Sequence, residues 1–414
     1  MLDQPAFGRR LRFLRRQREM SQTELAGGEV SPSYISLIES GRRMPSEEIA
    51  QTIAERLGVS LAEFGVVATT DPDDRADLVR RLVVARSARA EGGHRFAVQE
   101  LAALVEEADA LGEDDVAFQA WWELAEAYGE LDRPVDRDAV LRRLLDDPLT
   151  NSSAPLRARV AAAISELAHS RGLLAEAVRA GEQAVAAADH LDAGALEWGR
   201  ARLALATAHT ARDDLDRAGE ALQEVLARLD ELPTDRLRGL ACWAAGAVQL
   251  ATGRPGEALP LLERAALLLP ARAGLRQSAR LGLTTVRARL AADRSTDAAE
   301  DLLGRVRTAF ALVGTEADGI QLAAVEAVLL ARRGRREDAL ARAAEVHPAP
   351  GLPPHELAEC LLAAADVQLA GGRPEEAEKS CRQAAELFDE TGAHRRAARA
   401  WRTLVEVIAA REAQ

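Results

Sequence analysis

The sequence predicts an all-α protein in which an N-terminal domain of five helices precedes a right-handed superhelix of about eight helical hairpins. Three observations support this prediction. A short segment near the N-terminus has the pattern of two capped helices joined by a glycine turn. Turn-forming residues then recur every 38–41 residues, with small residues at fixed distances on either side. Hydrophobic residues make up 48% of the 414, which is enough to bury a large core.

The N-terminal segment is MSQTELAGGEVSPSYISLIESGRR, which begins at Met20. Ser21 and Glu24 have the spacing of a capping box, in which each side chain satisfies a backbone N–H at the start of a helix. Two glycines at 27–28 interrupt that helix. Ser31, followed by a proline, supplies the preferred N-cap of the next helix. The segment therefore predicts two short helices in close succession.

The apolar spacing of the second helix predicts which of its faces is buried. Ile35 and Ile38 fall on one face and can pack against Leu25 and Ala26 of the preceding helix. The opposite face carries small hydroxyl side chains and one aliphatic side chain, which suit contacts in the major groove of DNA, while flanking polar and basic groups can reach phosphates. The residues predicted to contact DNA are Gln22, Ser31, Ser33, Tyr34, Ser36, Leu37, Arg42 and Arg43.

This pattern resembles the helix-turn-helix of phage-repressor-type (Xre-like) bacterial regulators over about residues 7–65. The resemblance rests on SQTELA, VSPSYISLIESGRR and the PS that follows. In that family a glutamine opens the first motif helix, an alanine follows four residues later, and a Ser-x-Ile-Glu-x-Gly-type ending closes the recognition helix. Gln22, Ala26 and residues 35–41 occupy those places, although the turn is one residue shorter than usual. The resemblance implies DNA binding; the alternative is a helical bundle that serves protein contacts.

Charge is distributed unevenly along the chain. The formal net charge is −13, but residues 1–45 carry +3 and the remainder −16, so only the N-terminal region should favour phosphate. Ser46 and Ser60 each begin a further capped helix, which completes five helices, and a polar stretch follows. The predicted domains are a helix-turn-helix domain at 1–68, a linker at 69–74, a repeat domain at 75–391 and a C-terminal capping helix at 392–414.

The remainder of the chain is periodic. The predicted turn residues are Gly92, Asp132, Gly172, Asp213, Gly253, Asp293, Gly334 and Gly372. Seven residues before them stand Ala85, Ala125, Ser165, Ala206, Gly246, Val286, Ala327 and Ala365, and five residues after them stand Ala97, Arg137, Ala177, Ala218, Ala258, Ala298, Ala339 and Ala377. Two antiparallel helices approach closely only where the facing side chains are small. Each period is therefore predicted to be one helical hairpin.

These hairpins are similar to the tetratricopeptide repeat, although their period is longer than the 34 residues typical of that family. Such arrays expose a concave surface formed by the first helix of each pair, where ligands usually bind. Counting back from each turn gives polar and aromatic side chains that could hold an anionic ligand. The predicted ligand-binding residues are Gln119, Trp122, Arg159, Arg200, Trp243, Arg280, Gln321 and Glu359. The alternative is that the tryptophans pack in the core and the arginines pair with acidic residues.

Several function classes are not supported by the sequence. It contains no phosphate-binding glycine loop, no His-Glu-x-x-His and no nucleophile elbow, so we do not expect an enzyme or a cofactor. Cys242, Cys360 and Cys381 are too far apart to indicate a disulfide framework or a metal site. His347 and His355 share a proline-rich loop without further ligands. No apolar leader or membrane span is evident, so we expect a cytoplasmic protein that does not enter the membrane.

A helix-turn-helix domain joined to tetratricopeptide-like repeats resembles the bacterial regulators that sense signalling peptides. They imply a homodimeric transcription factor that binds an operator in double-stranded DNA and responds to a peptide through its repeats. That family commonly holds the peptide with asparagines, whereas this chain has only Asn151, so a small acidic ligand is an alternative. Two further hypotheses remain: the repeats bind a partner protein while the N-terminal domain tethers the complex to DNA, or the repeats only dimerise.

Overall fold

The computed structural model describes residues 6–18, 20–28, 30–61, 72–292 and 296–412, and these segments contain 22 α-helices. The chain forms two compact units, Met1–Val140 and Leu141–Gln414. The N-terminal domain contains α1 (Ala6–Gln17), α2 (Gln22–Ala26), α3 (Pro32–Glu39) and α4 (Glu47–Leu57). The predicted fifth helix and the start of the predicted linker fall on residues 62–71, outside the described residues.

The predicted array of eight helical hairpins is confirmed, and a single helix follows it. The first unit contains two hairpins, formed by α5 (Pro72–Ala90) with α6 (His94–Leu111) and by α7 (Asp114–Glu130) with α8 (Pro134–Leu145), which extends past the unit boundary. The second unit contains α9 (Pro148–Ser152), then α10 (Ala154–Ser170) with α11 (Leu174–Ala188), α12 (Leu196–Ala211) with α13 (Leu215–Ala227), α14 (Asp235–Ala251) with α15 (Pro255–Leu268), α16 (Leu275–Ala291) with α17 (Thr296–Val313), α18 (Glu316–Arg332) with α19 (Arg336–Ala343), α20 (Pro354–Ala370) with α21 (Pro374–Glu390), and α22 (His394–Glu412).

The predicted turn residues adopt the left-handed backbone conformation that ends a helix. Five of them are glycines with φ between 67° and 87°, which glycine adopts without a Cβ clash. Asp132 and Asp213 take the same conformation, with φ of 54° and 65°. Asp293, the remaining predicted turn residue, lies outside the described residues.

The small residues on either side of the turns lie where the paired helices approach most closely. All eight that precede the turns are buried, and the Ser165 hydroxyl donates to the carbonyl of Ala177 at 2.7 Å, joining two predicted facing positions. One prediction was wrong: Ala298 is exposed, and Ala299 is the buried residue instead. The α16–α17 connection therefore shifts the register by one residue.

Gly246 shows how tightly one of these pairs is packed. A Cβ at this position would lie 2.8 Å from Leu262 and 3.3 Å from the Ala258 carbonyl on the facing helix. We expect Gly246→Ala to destabilise the second unit by about 1–3 kcal/mol, because overpacking outweighs the helix propensity of alanine. Gly219→Ala is the matched control, since nothing lies within 4 Å of its added Cβ, and it should stabilise. Urea unfolding measures both; equal effects would contradict the close approach.

The C-terminal helix α22 completes the last repeat. Its Leu404 and Val407 are buried against Ala365, Ala377 and Cys381 of the preceding hairpin. In the hairpin before, α19 has only eight residues and is followed by the proline-rich loop. The second helix of the α18–α19 hairpin therefore ends early.

Candidate DNA-binding surface and ligand-binding site

Local hydrogen bonds fix the two motif helices as the sequence predicts. The Ser21 hydroxyl accepts from the Glu24 backbone N–H at 3.1 Å, and the Glu24 carboxylate accepts from the Ser21 N–H at 2.6 Å. This second hydrogen bond lowers the pKa of Glu24. At α3, the Ser31 hydroxyl accepts from the Tyr34 N–H at 3.1 Å. Gly27, with a φ of 53°, ends α2.

The buried and exposed faces of α3 also agree with the prediction. Ile35 and Ile38 are fully buried and belong to the same core cluster as Leu25 and Ala26. Ser33, Ser36 and Leu37 are exposed on the opposite face. An exposed helical face of this kind, small and polar with one aliphatic side chain, can approach base edges and thymine methyl groups.

Arg42 and Arg43 follow α3 and are both exposed. Their backbone N–H groups donate to the Leu37 carbonyl at 3.0 and 3.2 Å, which fixes the chain where it leaves the helix. The Arg43 guanidinium carbon lies 5.4 Å from the centre of the Tyr34 ring, a cation–π contact. Two cationic side chains are therefore held beside the exposed face of α3.

A buried ion pair on the opposite face of α3 was not predicted from the sequence. Glu39 accepts from Arg15 of α1 through both carboxylate oxygens, at 2.6 and 3.0 Å, and from the Gln22 amide at 2.8 Å. Arg15 also donates to the Met20 carbonyl at 2.7 Å. Gln22, predicted to contact phosphate, is thus half-buried and engaged with Glu39. The network fixes the position of α3 relative to α1 and α2.

The predicted ligand-binding residues all lie on the first helices of hairpins, but the structure brings only some of them together. Gln119 and Trp122 belong to α7 of the first unit. In the second unit, Arg159 pairs with Glu197 at 3.5 Å and Trp243 donates to Thr284 at 3.2 Å. Arg200 of α12 is half-buried.

These contacts are part of a repeating pattern between neighbouring first helices. Arg159 and Glu197 join α10 to α12, and Trp243 and Thr284 join α14 to α16. Arg276 joins α16 to α18 through Asp318, at 2.5 Å. Polar side chains on successive first helices therefore pair with one another and stabilise the stacking of the hairpins.

Arg280, Gln321 and Glu359 do converge, together with Glu356, which was not predicted. Arg280 lies 3.4 Å from Glu356, and the Gln321 amide donates to the same carboxylate. Glu359, one helical turn further along α20, contacts Arg396 of α22. The spacing of α20 residues could have revealed Glu356, because residues three apart share a helical face.

Burial and neighbouring charges shift the pKa values in this cluster. Burial raises the pKa of Glu356. Burial also opposes ionisation of Glu359, but Arg396 and Arg287 outweigh it and lower the pKa of that carboxyl. His355 packs edge-to-face against His169, with ring centroids 4.9 Å apart. Burial, above all, lowers the pKa of His169 to about 4 and that of His355 to about 3.

Helices of the second unit that are far apart in the sequence contact each other near this cluster. Arg396 donates to the Thr210 carbonyl at 2.8 Å, and Arg399 lies 3.2 Å from the Asp213 carboxylate, 186 residues away in the sequence. These groups end α12, and cations near a helix C-terminus are stabilised by the helix dipole. Since α10 contacts α20 and α12 contacts α22, the superhelix meets itself after five hairpins.

Comparison with known families decides the nature of the N-terminal domain. The helix-turn-helix family model matches residues 11–64. The N-terminal region of the chain is therefore a helix-turn-helix domain of the Xre type. The matched family is a DNA-binding family and not an enzyme family.

The chain is also similar to solved structures. A signal transduction ATPase from Pyrococcus horikoshii with a tetratricopeptide repeat sensor has a TM-score of 0.51 at 11% identity, covering 95% of this chain and 71% of its own. A Rap protein complexed with Competence and Sporulation Factor has a TM-score of 0.49 at 14% identity, covering 95% and 100%. PlcR of Bacillus thuringiensis, solved with the peptide PapR7 and DNA, has a TM-score of 0.33 at 13% identity, covering 78% and 98%. The ATPase likeness shows a tetratricopeptide-like fold. A comparison with curated proteins found no match.

Outside the helix-turn-helix domain, the structure also contains a groove of about 610 Å³ between α17, α18 and the end of α19. Phe310, Ile320 and Ala323 contribute its apolar surface, and the buried Glu326 pairs there with Arg307 and Arg342. None of the predicted ligand-binding residues lines this groove. The early end of α19 was not anticipated from the sequence.

Neither a membrane span nor a metal site is found in the described part of the chain. No helix among those residues is long and apolar enough to cross a membrane. The same residues contain no group of three or more side chains that could hold a metal ion.

Proposed function

We propose that this protein is a sequence-specific transcriptional regulator whose repeat domain binds a signalling peptide or a small acidic ligand and thereby changes the geometry of a homodimer. The observation that carries the proposal is the exposed face of α3. Ser33, Ser36 and Leu37 lie on the outside of a helix-turn-helix domain, with Arg42 and Arg43 exposed immediately beyond. Small side chains permit close approach to base edges, and the arginines supply charge for phosphates.

The ligand-binding part of the proposal rests on the polar cluster of the second unit. Arginine, glutamine and carboxylate groups from α16, α18, α20 and α22 meet there, and several remain partly accessible. Guanidinium groups are well suited to bind carboxylates. The cytoplasm is the expected compartment for such a regulator, because its operator is there.

The change in dimer geometry is a mechanism by which ligand and operator binding can be coupled. Two helix-turn-helix domains bind half-sites about one DNA turn, roughly 34 Å, apart, so that a change in their spacing alters operator affinity. A ligand that binds two repeat conformations unequally shifts the balance between them. We expect the repeats to transmit this shift through their stacked hairpins.

The sensor proposal is tested by measuring operator affinity and melting temperature of the full chain. An operator is first selected from random DNA, and affinity is followed by fluorescence anisotropy. The protein is then titrated with cell extract and with synthetic peptide pools. A change in operator affinity with a raised melting temperature supports a sensor. No change in either quantity throughout would contradict it, and a stable heteromeric complex would favour a DNA-tethered scaffold.

The docking role of the arginines gives a separate prediction. Arg42→Ala/Arg43→Ala should weaken binding to specific and random DNA alike and reduce the salt slope by about 1.8, since each phosphate contact contributes about 0.9. Anisotropy between 50 and 200 mM salt provides the measurement. The control is Arg264→Ala/Arg382→Ala, which removes two exposed arginines from the repeats. An unchanged slope in the first variant would refute the docking assignment.

A further inference from the structure

Three arginines meet two carboxylates on one face of α20. Arg280 lies 3.4 Å from Glu356, and Arg287 lies 3.7 Å from Glu359. Both arginines belong to α16 and stand seven residues apart, two turns along the same face. Arg396 of α22 also contacts Glu359. Each of these carboxylates therefore lies beside at least one guanidinium, while Arg280 and Arg396 also lie within 3.6 Å of Asp318 and Asp213.

These pairs differ from the other polar contacts of the repeats. The contacts between neighbouring first helices join one hairpin to the next, as Arg276 joins Asp318. Arg280 and Glu356 instead lie 76 residues apart, on α16 and α20, with the α18 hairpin between them in the sequence. The Arg280–Glu356 pair is therefore not a contact between neighbouring hairpins, although Arg280 also lies 3.6 Å from Asp318 and Glu356 also accepts from Gln321.

The pairs are also loose and accessible. At 3.4 and 3.7 Å they are longer than the 2.5 Å contact between Arg276 and Asp318. The side chains of Arg280, Arg287 and Glu359 are 39%, 35% and 38% exposed. Because a guanidinium has five N–H donors, these arginines can bind further acceptors. Another carboxylate can therefore reach the same groups.

One ring nitrogen of an adjacent buried histidine makes no hydrogen bond among the described residues. His355 is 2% exposed, and among the described residues its Nδ1 has no hydrogen-bond partner. It lies next to Glu356 in the sequence and packs against His169. A buried polar atom normally has a partner, so this nitrogen indicates a place where a ligand group completes the network. Burial also raises the pKa of Glu356.

We propose that Arg280, Arg287 and Arg396 form a binding site for a ligand that carries two carboxylates, and that Glu356 and Glu359 occupy this site when the ligand is absent. The inference deepens the proposed sensor function, on which it rests, by assigning the ligand class and the groups that the ligand displaces. Both an acidic peptide and a small dicarboxylate have this chemistry. A ligand must therefore bind the three arginines more strongly than the internal carboxylates do.

Displacement of Glu359 has a consequence elsewhere in the second unit. Arg396, released from Glu359, also donates to the Thr210 carbonyl at 2.8 Å and lies 3.5 Å from Asp213. This residue is therefore shared between the ligand site and the contact that joins α22 to α12. A ligand that draws Arg396 away loosens that contact and opens the superhelix.

The experiment compares Glu356→Gln/Glu359→Gln with Glu375→Gln/Glu376→Gln, which makes the same charge change at exposed positions of α21. Each full-length protein is titrated with glutarate, with acetyl-Asp-Asp-amide, and with sodium chloride at matched ionic strength, while its melting temperature is measured. We expect the first variant to bind at least one of the acids at least tenfold more tightly than wild type and control. Equal binding by a folded first variant and the control would overturn the proposal. The acid that binds more tightly identifies the source of the carboxylates.

Hydrogen exchange of the wild-type protein provides a second measurement if the first variant does not fold. Saturating glutarate or peptide should accelerate exchange at the start of α22 and the end of α12, whereas sodium chloride should not. Unchanged exchange with both acids would overturn the proposal. DNA is absent from these experiments, so they separate the two ideas: acid binding without an operator response contradicts only the sensor, and an operator response to cell extract without acid binding contradicts only this site.

Discussion

Replacement of Glu39 by alanine should destabilise the helix-turn-helix domain by about 3–5 kcal/mol, because it leaves the buried Arg15 guanidinium without its carboxylate. Glu39 is 7% exposed and accepts three hydrogen bonds from two side chains. Because the site is buried, water does not take over these hydrogen bonds when the carboxylate is removed. Domains are stable by only about 5–15 kcal/mol, and one this small lies towards the lower end. We therefore expect operator binding to be lost together with the fold of the domain.

Hydrogen exchange of the α1 and α3 amides measures this loss directly and separates the domain from the repeats. Glu48→Ala is the control, because Glu48 is exposed at the start of α4, and it should cost less than about 1 kcal/mol. Arg15→Met/Glu39→Met should recover most of the lost stability, since replacing both charges leaves neither one unpaired. If Glu39→Ala exchanges as slowly as Glu48→Ala, the ion pair does not hold α3 in place.

Most of the architecture could be predicted because it depends on local rules. The hydroxyl side chains of Ser21 and Ser31 cap helices within three residues of themselves, and the turn glycines need a left-handed backbone that few other residues adopt. The small residues at fixed distances from each turn are required wherever two helices touch. Such signals repeat in every hairpin, and an error in one, as at Ala298, leaves the others intact.

The parts that could not be predicted depend on contacts between distant residues. Charged side chains are usually exposed, so neither Arg15 nor Glu39 indicates burial by its own sequence context. The superhelix closes where Arg396 and Asp213 meet, and that depends on a small rotation added at each of five hairpins. Counting back from the turns therefore found Arg280 and Glu359, but it could not show that Arg280 is paired with Glu356 and Glu359 with Arg287 and Arg396.

The buried histidines make the stability of the second unit depend on pH. An unfolded histidine has a pKa near 6.5, whereas His169 and His355 have values of about 4 and about 3 because burial disfavours their charged forms. The unfolded chain thus binds more protons than the folded chain once the pH falls below 6.5. The stability that these neutral rings contribute is complete above that pH and declines as the pH falls towards their folded pKa values.

We expect this effect to lower the unfolding free energy of the second unit by about 2 kcal/mol per histidine, about 4 kcal/mol for the pair, between pH 8 and 5. Arg280 and Arg396 act with burial on His169, and Glu359 opposes them. His209 has a pKa lowered by burial as well and adds to the decline. Glu356, whose pKa is raised, works in the opposite direction as the pH falls.

Hydrogen exchange of α10 and α20 at a series of pH values, corrected for the intrinsic exchange rate, gives this free energy locally. His169→Gln/His355→Gln should flatten the decline between pH 6.5 and 5, whatever its effect on stability at pH 8, because the opposing contributions of His209 and Glu356 remain. The control is His190→Gln/His347→Gln, at two exposed positions, which should keep the wild-type slope. The test is the slope of the unfolding free energy against pH rather than the absolute stability, because loss of the two buried rings changes this slope only by removing their titration. Identical slopes in the two double variants would show that protonation of this pair does not govern the acid sensitivity of the repeats.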